Sequence, residues 1–192
     1  MTTTRAERRW GVHFHGLHRV DAVADVDTEH GAEVRVRVAE AVRVQLIVAV
    51  TGDPGTGKSF ATGRALENVL DHDPDVAAVW LELASSVRGA GLAKELYPQI
   101  PGTPSPRNAL LLDMRLDMAY ALAETRRVLV VDEAQHVTRE AMQILRWLYD
   151  QPDSQFALVI VGTPNVWDRM PPELESRVSG DVRVERIIDD QA

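Results

Sequence analysis

The sequence contains no cysteine, which excludes disulfides and thiolate metal sites. It has no apolar run approaching the roughly 20 residues that a membrane span requires, so no membrane partner is expected. Its opening residues, Met-Thr-Thr-Thr-Arg-Ala-Glu-Arg-Arg-Trp, lack the apolar core of a secretory leader. These absences predict a cytoplasmic protein. Internal repeats, low-complexity tracts and long Gly/Ser linkers are missing too. So is an excess of basic charge, with 21 Lys and Arg against 29 Asp and Glu and a formal net charge of -8. That balance argues against a phosphate-backbone binder acting over its whole surface, while leaving room for a local basic patch. What remains is ordinary for a globular chain: 192 residues, 45% hydrophobic and 26% charged, enough for one domain with a real core.

Residues 1–32 read as an N-terminal arm and lead-in. Arg5, Arg8, Arg9 and Arg19 stand against Glu7, with His13, His15 and His18 beside them. Asp21, Asp25, Asp27, Glu29 and Glu33 then reverse the sign. Such an arm is either simply solvated or touches DNA or a partner. Residues 33–192 read as the folded domain. Glu33 to Arg43 is ambiguous at first sight: Val34, Val36 and Val38 alternate as in a strand, yet Val34, Val38, Ala41 and Val42 line one helical face.

Beyond it the pattern is clearer. Val44–Val50 is a short β-branched run ending at a glycine-rich turn, as a buried parallel strand does. Further strands are expected at Val76–Leu83, Val128–Val131, Phe156–Val161 and Val182–Ile187. Helices are expected at Ser59–Leu70, Leu92–Tyr97, Asn108–Thr125 and Arg139–Tyr149, with a proline-rich loop over Pro98–Pro106. Alternating strands and helices predict an α/β fold with a parallel sheet and right-handed crossovers.

The strongest signal is Gly52-Asp53-Pro54-Gly55-Thr56-Gly57-Lys58-Ser59, which fits the phosphate-loop pattern G-x-x-x-x-G-K-[ST] between an expected strand and an expected helix. Its glycines permit backbone conformations and close approaches that side chains would block. Loop amides and the start of the following helix converge on phosphate oxygens. Lys58 supplies a point charge to the β- and γ-phosphates, and the Ser59 hydroxyl suits Mg²⁺. The nucleotide-contacting segment therefore runs from Gly52 through Phe60.

Such a site also needs an acidic group, because Mg²⁺ prefers hard oxygen ligands. Asp132 ends an apolar run 74 residues after Lys58. Glu133 follows and points differently, as a residue that orients the attacking water would. His136 is expected to be structural or solvent-facing rather than catalytic. At the end of the fourth expected strand, Thr163 and Asn165 are candidates for sensing the γ-phosphate or holding the water, since ligands of open α/β sheets bind at that edge. Arg177, in Leu174-Glu-Ser-Arg-Val178, could reach a neighbouring subunit's γ-phosphate, with Arg169 a second possibility.

Taken together, Gly52–Ser59, Val130-Val-Asp-Glu-Ala-Gln-His136, Val161-Gly-Thr-Pro164 and Leu174–Val178 resemble the AAA+ ATPases, and within them the transposition ATPases of the phage Mu B and TniB type, related to ExeA-like secretion ATPases. The likeness spans roughly residues 33–188. It implies a three-layer P-loop NTPase with a five-stranded parallel sheet in the order 5-1-4-3-2. Lys58 and Ser59 then belong to Walker A, Asp132 and Glu133 to Walker B, the polar end of the fourth strand is sensor 1, and Arg177 is the arginine finger. It favours a helix over Glu33–Arg43. It further implies ATP and Mg²⁺ as ligands, homo-oligomers with sites between subunits, and assembly on DNA that delivers or activates a partner such as a transposase. The family usually adds a helical lid after the fifth strand. The sequence ends at Ala192 directly after the fifth expected strand, so the lid is expected to be missing by nature, to belong to a longer chain of which this is a piece, or to be supplied by a partner. Two other expectations stay open: a nucleotide-dependent signalling or partner-binding switch with little turnover, and a secretion or helicase-loading ATPase.

Overall fold

In the computed structural model, residues 28–105 and 110–186 are described. The basic arm and the ends of the sequence lie outside them. The first element, α1 (Glu29–Val44), settles the ambiguous segment as a helix. Val34, Val38, Ala41 and Val42 are buried on one face, while Val36 is 65% exposed, so the helical spacing wins over the alternation. The Thr28 side chain caps it by accepting the Gly31 amide at 2.9 Å. Helix α1 thus starts four residues ahead of the expected boundary at Glu33.

After Gln45, in the left-handed conformation, come β1 (Ile47–Thr51), α2 (Lys58–His72), β2 (Ala77–Glu82) and α3 (Gly89–Leu96). They are followed by α4 (Leu111–Glu124), β3 (Arg127–Asp132), α5 (Arg139–Tyr149) and β4 (Phe156–Gly162). Two one-turn helices, α6 (Val166–Arg169) and α7 (Pro172–Glu175), lead into β5 (Val178–Arg183). Other boundaries depart from expectation as well: α3 starts at Gly89 rather than Leu92, and the expected helix start at Asn108 lies outside the described residues, with α4 described from Leu111. Val44 closes α1 rather than opening a strand. The last strand begins at Val178 rather than Val182, because it pairs only with β1 and such an edge needs backbone partners more than apolar side chains.

All four strand pairings are parallel, and the order is β2-β3-β4-β1-β5, the expected 5-1-4-3-2 read from the other edge. The pleat sends alternate side chains to opposite faces. On one face Val48, Val50, Ala78, Trp80, Val128, Val130, Val159 and Val161 pack under α1 and α2. On the other, Val79, Leu81, Leu129, Val131, Phe156, Leu158 and Ile160 pack under α3, α4 and α5. The result is three layers. Because every strand runs the same way, all five finish at one edge, and the loops that follow them meet there. No helix among the described residues is long and apolar enough to cross a membrane.

Candidate functional site

The loop between β1 and α2 curls around a single carbonyl. Asp53 O accepts from the Thr56 amide at 3.3 Å, the Thr56 hydroxyl at 3.0 Å and Lys58 Nζ at 2.8 Å. Gly55 and Gly57 hold φ of 79° and 87°, a region that side chains rarely enter. A Cβ on either would meet nothing within 4 Å, so these two glycines are required by conformation. Gly52 is required by proximity: a Cβ there would lie 2.2 Å from the carbonyl oxygen of Val184, just past β5. Gly57 begins α2 without any side-chain cap, which leaves the first helical amides directed at the loop. Phe60, in the first turn, is half-buried against the core beneath α1 and α2. Asp53 and Pro54 are exposed on the loop.

Lys58 is only 8% exposed. Burial pulls its pKa below the ordinary lysine value, while the charges of Glu133, Asp132 and Asp53 push it back up. Its hydrogen bond goes to a neutral carbonyl, so the ammonium is buried beside carboxylates yet remains able to take an anion. Asp132, 4% exposed, ends β3 next to that loop. Burial raises its carboxyl to about 6, opposed by hydrogen bonds from the Ser59 hydroxyl and the Glu133 amide, with Glu133 and Glu82 adding repulsion. The Glu133 amide donates to Asp132 Oδ1 at 2.8 Å. Ser59 and Asp132 therefore meet, as a hydroxyl and a carboxylate on one Mg²⁺ would have to. No cluster of three or more His, Asp or Glu side chains among the described residues could hold a metal. The Ser59 hydroxyl and the Asp132 carboxylate, which do meet, are hard oxygen donors of the kind that suit an ion taking its remaining ligands from phosphate and water.

Glu133 adopts φ 54°, which turns its side chain out of the strand's alternation. Its carboxylate accepts from Gln135 Nε2. Gln135 Oε1 in turn accepts the Thr163 amide at 3.1 Å. Gln135, absent from the residues expected at the site, thereby joins the end of β3 to the end of β4. In the sequence it stands within Val130-Val-Asp-Glu-Ala-Gln-His136, a run that carries the resemblance but assigns Gln135 no role of its own. Thr163 is half-buried at that junction, whereas Asn165 is exposed at the start of α6. The His136 carbonyl accepts the Val87 amide at 2.9 Å, so its backbone braces the neighbouring loop.

Of the two arginines, Arg177 lies apart from this cluster. Arg177 immediately precedes β5, at the opposite end of the sheet from the phosphate loop. Its Nε donates to Asp150 Oδ1 at 2.6 Å and its Nη1 to the Glu173 carbonyl. Arg169 is exposed on α6.

Residues 42–170 match the family described as AAA domain. The chain is 29% identical over 154 residues to the Mu-like prophage FluMu DNA transposition protein B of Haemophilus influenzae, covering 79% of this chain and 50% of that protein. Among solved structures, the fold is similar to that of the Aeropyrum pernix ORC2 protein in its ADPNP-ADP complexes, with a TM-score of 0.68 at 12% identity over 87% of this chain and 51% of that one. It is likewise similar to the Aeropyrum pernix ORC1 protein in complex with DNA, with a TM-score of 0.59 at 19% identity over 85% and 47%. The chain thus spans about half the length of these relatives.

Proposed function

This chain belongs to the AAA domain family, and from that premise we propose that it binds ATP with magnesium at the end of the sheet where the strands finish, hydrolyses it, and works as an oligomer on DNA. The observation that carries the reading is buried Lys58 and Asp132, with the half-buried Ser59 hydroxyl on the Asp132 carboxylate, beside a phosphate loop whose glycines are conformationally required.

In this reading the amides from Gly52 to Phe60 wrap the triphosphate and Lys58 leaves the Asp53 carbonyl for the β- and γ-phosphates. A bound Mg²⁺, held by Ser59 Oγ and Asp132, would neutralise charge on those phosphates. Glu133 orients a water and receives its proton as the water oxygen bonds to the γ-phosphorus. The bond from that phosphorus to the β,γ-bridging oxygen breaks, and ADP carries the electron pair away. Thr163 or Asn165 positions the water or senses the γ-phosphate. Arg177 lies too far along the sheet to serve its own loop, which favours its acting on a neighbouring subunit. DNA as a partner draws support from the relative named for DNA transposition and the similar fold solved with DNA. With a net charge of -8, contact would run through a local patch. Delivery or activation of a transposase-like protein is the task that fits best.

Steady-state phosphate release tests the core of the proposal. The wild-type chain should release phosphate from Mg·ATP, and Glu133→Gln should bind ATP yet lose roughly a thousandfold in rate. Undiminished turnover in that variant would remove Glu133 from its role. Arg177→Ala should keep binding and lose turnover, and mixing it with Glu133→Gln should restore some activity if the arginine acts between subunits. ATP-dependent retention on DNA at low salt tests the partner, and its absence with both ATP and a non-hydrolysable analogue would count against DNA.

A further inference from the structure

Gln135 links the two halves of the candidate site through a side chain whose orientation is not free. At one end its Nε2 faces the Glu133 carboxylate, which can only accept. At the other its Oε1 faces the Thr163 amide, which can only donate, at 3.1 Å. Flipping the amide would set oxygen against oxygen and N–H against N–H, so both partners fix it one way. Glutamate would satisfy only the Thr163 end. Methionine, of similar reach, would satisfy neither.

The backbone is shaped around this link. A Cβ on Gly162 would come within 2.8 Å of Gln135 Oε1, so the last residue of β4 leaves room for the amide. Glu133 holds its left-handed conformation one residue before the short helix Ala134–His136, and the His136 amide closes that turn on the Glu133 carbonyl at 2.9 Å. Glu133 and Gln135 thus belong to one hydrogen-bonded turn, tied at its far side to the loop after β4.

We infer that Gln135 is a positioning residue. It aims the Glu133 carboxylate and couples it to the Thr163 turn, so that whatever the β4 end senses reaches the residue that orients water. The inference rests on the ATPase reading for its kinetic arm only.

The test uses the whole chain and compares Gln135→Met, Gln135→Glu and Gly162→Ala with wild type. Phosphate release, ATP affinity and hydrogen exchange of the Thr163 amide are measured for each. Gln135→Met should lose roughly tenfold to a hundredfold in turnover with ATP affinity kept within about threefold, and its Thr163 amide should exchange at least about tenfold faster. Gln135→Glu should keep the Thr163 amide protected yet lose turnover, because only the Glu133 end is broken. Gly162→Ala should resemble the Met variant through displacement of the amide. A merely structural Gln135 would instead lower thermal stability and ATP affinity together in all three. Turnover of Gln135→Met within about twofold of wild type, or unchanged Thr163 exchange in that variant, overturns the proposal. If the wild-type chain releases no phosphate, the ATPase reading fails separately, and the exchange of Thr163 still decides whether the link exists.

Discussion

Where the strands begin, charge is met by charge. Arg126 pairs with Asp73 at 2.8 Å, and Asp150 is shared by Arg177 at 2.6 Å and Arg146 at 2.9 Å. Arg127 is the exception, a buried cation whose pKa burial lowers and which rests on the neutral carbonyls of Ala121 and Pro101, and the Tyr149 hydroxyl donates to Gln45 O at 2.8 Å. Where the strands finish, the pattern inverts. Lys58 and Asp132 are buried in a region of positive φ, with a lysine resting on a neutral carbonyl and a carboxyl pushed up to about 6. One end is closed by its own side chains. The other holds a buried lysine and a buried carboxyl together beside a glycine-rich loop, the usual mark of a site prepared for a ligand.

Asp132→Asn should break that contrast most severely. On the proposed function, in which Asp132 helps to hold Mg²⁺, turnover should fall by on the order of a hundredfold or more. The same change should stabilise the protein without nucleotide. The folded carboxyl titrates at about 6 against an ordinary 3.8, so the native chain holds that proton more tightly than the unfolded one. Ionisation therefore costs folding free energy, a penalty absent below about pH 4 and complete above about pH 6. Denaturant melts at pH 8 should show Asn ahead by on the order of 2–3 kcal/mol, with the gain fading toward pH 4. A variant less stable at pH 8 would mean that Asp132 is a structural anchor like Asp150.

Gly52→Ala comes next. Its methyl group would collide with the Val184 carbonyl at the exit of β5, a backbone atom with nowhere to retreat. A loss on the order of 2 kcal/mol is expected in the same melts, with slackened exchange protection along β5. The smallest effect belongs to the closed end. Asp150→Asn removes two part-exposed ion pairs and should cost about 0.5–1 kcal/mol while leaving ATP affinity unchanged. A loss of ATP affinity there would erase the distinction between the two ends.

Much of the finishing end was legible in the sequence. Apolar runs that stop at Gly52, Asp132 and Gly162 mark buried parallel strands, and the phosphate loop needs glycines at fixed spacing that few other structures demand. The strand order followed from the resemblance, and the observed pairings agree with it. Edges were harder to read. Strand β5 contains Ser179, Gly180 and Asp181 and buries only Val182, so its backbone ladder with β1 carries no apolar signature. It is tied instead by the Thr51 hydroxyl on Asp181 Oδ1 at 3.2 Å. Val44 could not be assigned locally, because a helix ending at a left-handed Gln45 and a strand beginning there share the same residues. Gln135 stayed hidden for a different reason. Its role depends on Thr163, 28 positions away, and no local pattern reports a contact across two strand ends.

Calorimetric titration of ATP in the presence of magnesium, on the wild-type chain and on Lys58→Ala, bears most directly on the phosphate site. The wild type should saturate with one nucleotide per chain, and the variant should lose at least about a hundredfold in affinity while melting no lower than wild type, since a buried cation has been removed. Equal affinity in the two proteins would show that nucleotide does not bind between this loop and the end of β3.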